Sequence, residues 1–299
     1  MHKILVLLCL VFVCLAASAQ AGTGPLAAAK PMPVAVGVAP VDYLARRIGG
    51  PLIQTTVLVP AGADAHTYEP KPSQMRELSR SALYLSAGLE FEEAWEPRLK
   101  AANQKLVVVR TDSGLARMPM PEGHDGRHKG SHGSEAELDP HVWVSPANVR
   151  HMAGTIAGAL AKADPAHAKD YAANLGALLK DIDAVDADLR SVFAGLPANQ
   201  RTFLVFHPAW GYLARDYGLT QMAIEFEGKE PSPRRLGAIV TQARAKGVKV
   251  IFVQPQMSRR TAETIAQALG ARVLVADPLA ADWAANLRAV AAAFRAALR

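Results

Sequence analysis

The sequence predicts an α/β fold made of two parallel-sheet α/β lobes joined by one long rigid helix. Three observations carry that prediction. Short apolar runs alternate with amphipathic stretches between residues 33 and 111. An unbroken three- and four-residue apolar repeat fills residues 166–195, and the short alternation resumes from residue 202. Strands that alternate with helices indicate βαβ units and parallel sheets.

In the first half, "PVAVGVAP" (33–40) reads as a buried strand, and "VDYLARRIGG" as a helix ended by glycine. "TTVLVP" (55–60) is a second strand, followed by the helix "SQMRELSRS" with Ser73 at its start. "ALYLSAG" (82–88) and "KLVVVRT" (105–111) are further short strands. Residues 112–138 break the pattern with Gly, Pro, charge and three histidines, and a loop of that length inside a compact domain is usually functional or disordered. "VWV" at 142–144 is strand-like, and the helix "SPANVRHMAGTIAGALAKADP" follows, with Ser145 as cap and Pro146 in its first turn.

The next stretch places Tyr171, Leu175, Leu178, Ile182, Val185, Leu189 and Val192 on one stripe, with no breaker before Gly195-Leu196-Pro197. At 1.5 Å per residue its ~28 residues make a rod of roughly 40 Å. Such a rod suits one helix of a bundle or a strut between lobes, and the strut is favoured because βα alternation resumes immediately. That second half runs "TFLVFH", "PAWGYLARDYG", "TQMAIEF", "SPRRLGAIVTQARAKG", "VKVIFVQP", "SRRTAETIAQALG", "ARVLVADP" and "DWAANLRAVAAAFRAAL", four strand–helix units in a row. Ser258 and Asp282 are natural helix caps. The expected division is a signal peptide at 1–21, a first lobe at 33–164 with its loop at 112–138, a linking helix at 166–195 and a second lobe at 200–299. The cleft between such lobes lies at the carboxyl ends of their strands, where open α/β sheets bind ligands.

Residues 1–21 have the layout of a secretory signal peptide: Lys3 in a basic start, an apolar run from Ile4 to Ala16, then small residues. That run is too short to span a bilayer. Both cysteines, Cys9 and Cys14, lie inside it, so the exported chain has no disulfide and no thiolate ligand. Any metal site must use His, Asp and Glu. Loss of Lys3 leaves 32 basic against 27 acidic residues, a formal +5. The basic residues are scattered singly or in pairs, which gives no concentrated face for nucleic acid.

Three solitary histidines share one context. His66 follows the strand "TTVLVP", His141 precedes "VWV", and His207 ends "TFLVF". Asp277 ends the last strand. Each histidine alone reads more readily as a hydrogen-bonded structural residue, and Asp277 as the cap of an Asp-Pro turn. Together they make a complete tetrahedral set for Zn²⁺. Imidazole suits zinc, whereas an oxygen-dominated set suits manganese or magnesium. Spacing by itself leaves the structural and the ligand readings open.

The stretches "GADAHTYEPKPSQ", "DPHVWVSP", "FHPAWGYLARDYGL", "EPSPRRL", "GVKVIFVQPQ" and "ADPLA" resemble, in order, the metal-specific solute-binding proteins of ABC transporters, zinc-uptake branch. The resemblance runs from about residue 34 to 295. It implies two α/β lobes on a rigid long helix with metal held between them. It also implies a metal set of His66, His141, His207 and Asp277, with Zn²⁺ as the transported ligand, and a periplasmic monomer that serves a membrane permease. Manganese- and iron-binding relatives typically carry Glu at the third position, so His207 points toward zinc. Zinc-binding members often carry a His- and acid-rich loop where this chain has His124, His128 and His132, which makes those three a possible auxiliary metal loop. The glycines at 123, 126, 130 and 133 disfavour a helix there. Tyr68 and Glu69, and also Glu227 and Glu230, are candidates for orienting a ligating histidine from behind. The competing class is an exported zinc hydrolase with Asp277 displaced to act as base on a metal-bound water. It lacks any H-E-x-x-H or G-x-S-x-G element.

Overall fold

Two four-stranded parallel sheets, one in each half of the chain, order the computed structural model, which describes residues 30–120, 138–225 and 229–297. The expected leader at 1–21, the auxiliary histidines 124, 128 and 132, and Glu227 lie outside the described residues. The first sheet contains β1 (Met32–Val36), β2 (Ile53–Val57), β3 (Leu83–Ser86) and β4 (Val107–Arg110) in the order β2-β1-β3-β4. The second contains β5 (Thr202–Val205), β6 (Thr220–Ala223), β7 (Val250–Val253) and β8 (Arg272–Val275) in the order β6-β5-β7-β8. Every neighbouring pair is parallel. In each sheet the chain steps first one way and then the other from its first strand, which opens a crevice at the carboxyl ends of β1 and β3 and of β5 and β7.

Burial explains the apolar runs. The inner strands β3 and β7 are buried along their whole length, as strands covered on both faces must be. Alternation then sorts their residues between two cores. Phe203, Val205, Val250 and Phe252 face the main apolar core, which continues through both lobes, while Leu204, Ile251 and Val253 face a smaller one behind the second sheet.

The helices of the first half are α1 (Ala39–Gly49), α2 (Pro72–Leu78), α3 (Glu90–Ala102) and α4 (Pro146–Ala163). The long helix is α5 (Ala168–Ala194), 27 residues, about 40 Å at 1.5 Å each. It buries Tyr171, Leu178, Ile182, Val185, Leu189 and Phe193. One part of its length packs on α1 and α4, and another on the last helix of the chain. That helix, α9 (Trp283–Ala297), follows α6 (Gly211–Asp216), α7 (Pro233–Ala245) and α8 (Arg259–Leu269). Asn174 donates to Ile48 O at 2.8 Å on the first lobe, and Arg288 meets Asp188 at 2.6 Å on the second. The strut is therefore bonded to both lobes.

Three local readings change. "VWV" is not a strand: Val142–Val144 is a 3-10 turn closed by Val144 N–H on His141 O and Ser145 N–H on Val142 O. Only five residues lie between Pro140 and Pro146, and neither proline has an N–H to donate to a ladder. Residues 90–102, which the apolar pattern left unassigned, form α3 despite Pro97. Its first turn carries Glu90, Glu92 and Glu93, which favour a helix N-terminus. Helix α2 begins at Pro72 rather than Ser73, and Gln74 Oε1 accepts the Lys71 N–H ahead of it at 2.9 Å. The other caps stand as read: Ser145 accepts from Asn148 N–H, Ser258 from Arg260 N–H and Asp282 from Ala285 N–H.

Candidate metal centre

Loops at the carboxyl ends of the two sheets bring His66, His141 and His207 together. His66 lies in the loop after β2, where Asp64 Oδ1 accepts its backbone N–H at 2.9 Å and Asp64 Oδ2 accepts the Thr67 hydroxyl at 2.8 Å. His141 leads into the 3-10 turn. His207 stands two residues past β5, and its backbone pairs with the Gln254 amide in both directions: Gln254 Oε1 accepts its N–H at 3.3 Å and Gln254 Nε2 donates to its carbonyl at 3.2 Å.

The three rings converge by their Nε2 atoms. His141 Nε2 lies 3.2 Å from His66 Nε2 and 3.3 Å from His207 Nε2. One ligand atom from each residue fits within 4.8 Å of the others. Two nitrogens bound tetrahedrally at 2.0–2.1 Å from one zinc ion lie about 3.3 Å apart. The observed spacing is thus that of a tetrahedral edge. Three imidazole lone pairs aimed at one point repel each other unless a cation or proton lies between them.

Buried carboxylates fix that aim. Asp139 Oδ1 accepts from His141 Nδ1 at 2.8 Å and also from the His141 backbone N–H at 2.8 Å. Glu225 Oε1 accepts from His207 Nδ1 at 2.8 Å. Both acids are at least 95% buried. A carboxylate can only accept, so each Nδ1 carries the proton and each Nε2 presents its lone pair to the centre. The wall mixes apolar side chains, Leu89, Trp143, Met257 and Leu279, with the polar Asp64, Gln254 and Gln256, around a cavity of about 40 Å³. Small-molecule pockets are typically ~300–1,000 Å³, so this space fits an ion with little more than water. His66 is half-buried and His141 and His207 are buried.

Asp277 is not brought to the three rings. Its Oδ1 accepts the Leu279 N–H at 2.9 Å, which caps its own Asp-Pro turn, and its backbone carbonyl accepts from Asn286 Nδ2 at 2.7 Å. Among the described residues, the metal-competent group consists of the three histidines. The hydrolase reading, which needs Asp277 beside a metal-bound water, gains no support from this placement. The suggested helpers also point elsewhere. The Tyr68 hydroxyl donates to Gln74 Oε1 at 2.7 Å, Glu69 is exposed, and Glu230 accepts from the Thr261 hydroxyl. The residues that do back the rings, Asp139 and Glu225, escaped the sequence reading. Asp139 stands two places before His141 in "DPH", and Glu225 lies just past β6, beside β5 with its His207, so position relative to a strand end was the available signal.

The family described as zinc-uptake complex component A, periplasmic (ZnuA), matches residues 34–297. A putative metal-binding protein of Treponema pallidum (strain Nichols) is 34% identical over 248 residues, covering 81% of this chain and 78% of its own length. The zinc-binding protein AdcA of Streptococcus pyogenes serotype M3 is 27% identical over 253 residues, which cover 80% of this chain but 49% of AdcA; the chain thus spans about half the length of such streptococcal relatives. Among solved structures, a ZnuA deletion mutant with zinc bound superposes with a TM-score of 0.80 at 41% identity, covering 89% of this chain and 98% of that one.

Proposed function

We propose, from the premise that this chain belongs to the family of periplasmic zinc-uptake complex A components, that it captures Zn²⁺ between its two lobes and delivers it to an ABC permease for uptake. The ligands we assign are His66, His141 and His207, and the observation that carries the reading is their Nε2 spacing of 3.2 and 3.3 Å. The donor set is all nitrogen, and imidazole favours zinc over the oxygen-preferring manganese and magnesium. Asp139 and Glu225 keep the Nδ1 protons outward. His141 and His207 therefore meet the ion with a neutral nitrogen, and the two buried carboxylates offset its charge.

The role is that of a carrier and not of an enzyme. This reading rests on the family match to a zinc-uptake component and on the three converging imidazoles. Residues 1–21 direct export to the periplasm, and the chain acts as a monomer with lobes at 33–164 and 200–299 on the linking helix 166–195. No described helix is long and apolar enough to cross a membrane.

Calorimetric titration of zinc into the protein tests this reading, beside His207→Ala. Structural zinc sites are worth ~10–16 kcal/mol over about four ligands, so loss of one imidazole costs roughly 3 kcal/mol, more than 100-fold in Kd. One tight equivalent in the wild type, lost or weakened by that factor in the variant, is the expected result. Equal binding by both proteins places the metal elsewhere and refutes the assignment.

A further inference from the structure

The segment from Asp139 to Ser145 precedes the linking helix, yet much of its bonding runs to the second lobe. The Tyr212 hydroxyl donates to Asp139 O at 2.8 Å, and the Ser145 hydroxyl bonds the Asp216 carboxylate. Trp143 Nε1 donates to Pro278 O at 2.8 Å, and Trp283 Nε1 returns a bond to Trp143 O at 2.7 Å. Tyr212 also accepts the Met118 N–H at 3.0 Å, while Asp139 N–H bonds Met118 O at 2.7 Å. One phenol therefore ties together the two strands of chain that frame residues 119–138. Beside it, Asp139 Oδ2 rests so close over Gly211 that a Cβ there would stand 2.9 Å away.

Asp139 is the residue that holds His141 Nδ1, and Gly211 and Tyr212 open helix α6, four and five residues beyond His207. Building on the zinc reading above, we infer that Tyr212 and Gly211 are positioning residues for metal capture: α6 fixes Asp139, Asp139 fixes His141, and the His141–His207 pair is set as one unit by the second lobe. The separation of these two nitrogens does not then depend on how the lobes approach each other. Tyr212 touches no metal and acts through Asp139. The apolar ring alone would satisfy packing in the fully buried position it occupies, whereas the hydroxyl serves the two bonds across the lobes.

Tyr212→Phe keeps the ring and removes both bonds. Gly211→Ala keeps the hydroxyl and pushes the Asp139 carboxylate. Alanine is also the better helix former, so the metal-free protein loses nothing to propensity. The measurements are zinc Kd by competition with a chelator, the visible absorption of the Co²⁺-loaded protein, and metal-free melting. Removal of an outer partner of a metal-ligating histidine weakens binding by roughly 10- to 100-fold. Both variants are expected to lose zinc affinity in that range and to shift the Co²⁺ spectrum, which reports ligand geometry. If Tyr212→Phe fails to fold, Gly211→Ala decides alone. Zinc affinity within twofold of wild type with an unchanged Co²⁺ spectrum overturns the inference, as does a lowered melting temperature with both metal readouts intact. A wild-type protein that binds no zinc overturns the functional reading itself, a different and separable failure.

Discussion

Replacing Glu225 with alanine removes the acceptor that holds His207 Nδ1 at 2.8 Å, between side chains only 3% and 8% exposed. A hydrogen bond to a charged group contributes about 1.5–3 kcal/mol. Water reaches this buried pair poorly, so most of that energy is lost when the carboxylate is deleted. At 1.4 kcal/mol per tenfold, zinc binding weakens by roughly 10- to 150-fold. Glu225→Gln keeps an acceptor oxygen of the same reach but not its charge, and a neutral bond is about half as strong. The glutamine variant should therefore weaken binding only about threefold to tenfold. Competition of each protein with a chromogenic zinc chelator gives the three Kd values, and metal-free melting curves confirm that folded proteins are compared. The order wild type, glutamine, alanine is the signature of a charge that orients the ring. An alanine variant within twofold of wild type, or a glutamine variant as weak as alanine, refutes the reasoning.

Two further predictions concern the crevice of the first sheet. The Glu92 carboxylate is wholly buried and accepts from the Tyr84 and Ser86 hydroxyls and the Ala87 and Leu89 N–H groups. Burial raises its pKa above the ordinary 4.5, with the four donors partly offsetting that effect. The unfolded chain releases this proton near the ordinary value while the folded chain retains it to higher pH, so the folded state binds more protons and stability falls as pH rises through that window. Glu92→Gln stays neutral, and its urea midpoint should decline less than that of wild type from about pH 4.5 upward; parallel declines contradict the assignment. Gly37 lies against the same carboxylate, where an added Cβ would sit 1.9 Å from Glu92 Oε1. Gly37→Ala should cost about 1–3 kcal/mol by overpacking, read as a lowered urea midpoint, and an unchanged midpoint would show that Glu92 moves aside freely.

Much of this protein is written in local patterns. The run "VKVIFVQP" contains no polar residue between Val250 and Val253, and β7 is buried along that length on both faces. The stripe from Tyr171 to Leu189 repeats at helical spacing, and its buried members line α5. His66 and His207 follow apolar strands, which places them at carboxyl ends, where the crevice of a parallel sheet lies. "VWV" misled because three apolar residues fit a buried turn as well as a strand, and the choice was made by contacts far away: the Trp143 indole reaches Pro278, 135 residues on.

By itself, then, the sequence determined the α/β class, the strut and the place of His66 and His207 after their strands, because each follows from short-range periodicity or from the end of an element. Tertiary structure alone decided which groups meet. His141 finds His66 across 75 residues and His207 across 66, Glu225 backs His207 while Glu69 and Glu230 do not back a ring, and Asp277 turns to cap its own chain. The physical reason is that periodicity encodes which face of an element avoids water, whereas convergence of nitrogens to a tetrahedral spacing depends on the packing of loops from both lobes, for which no local repeat exists.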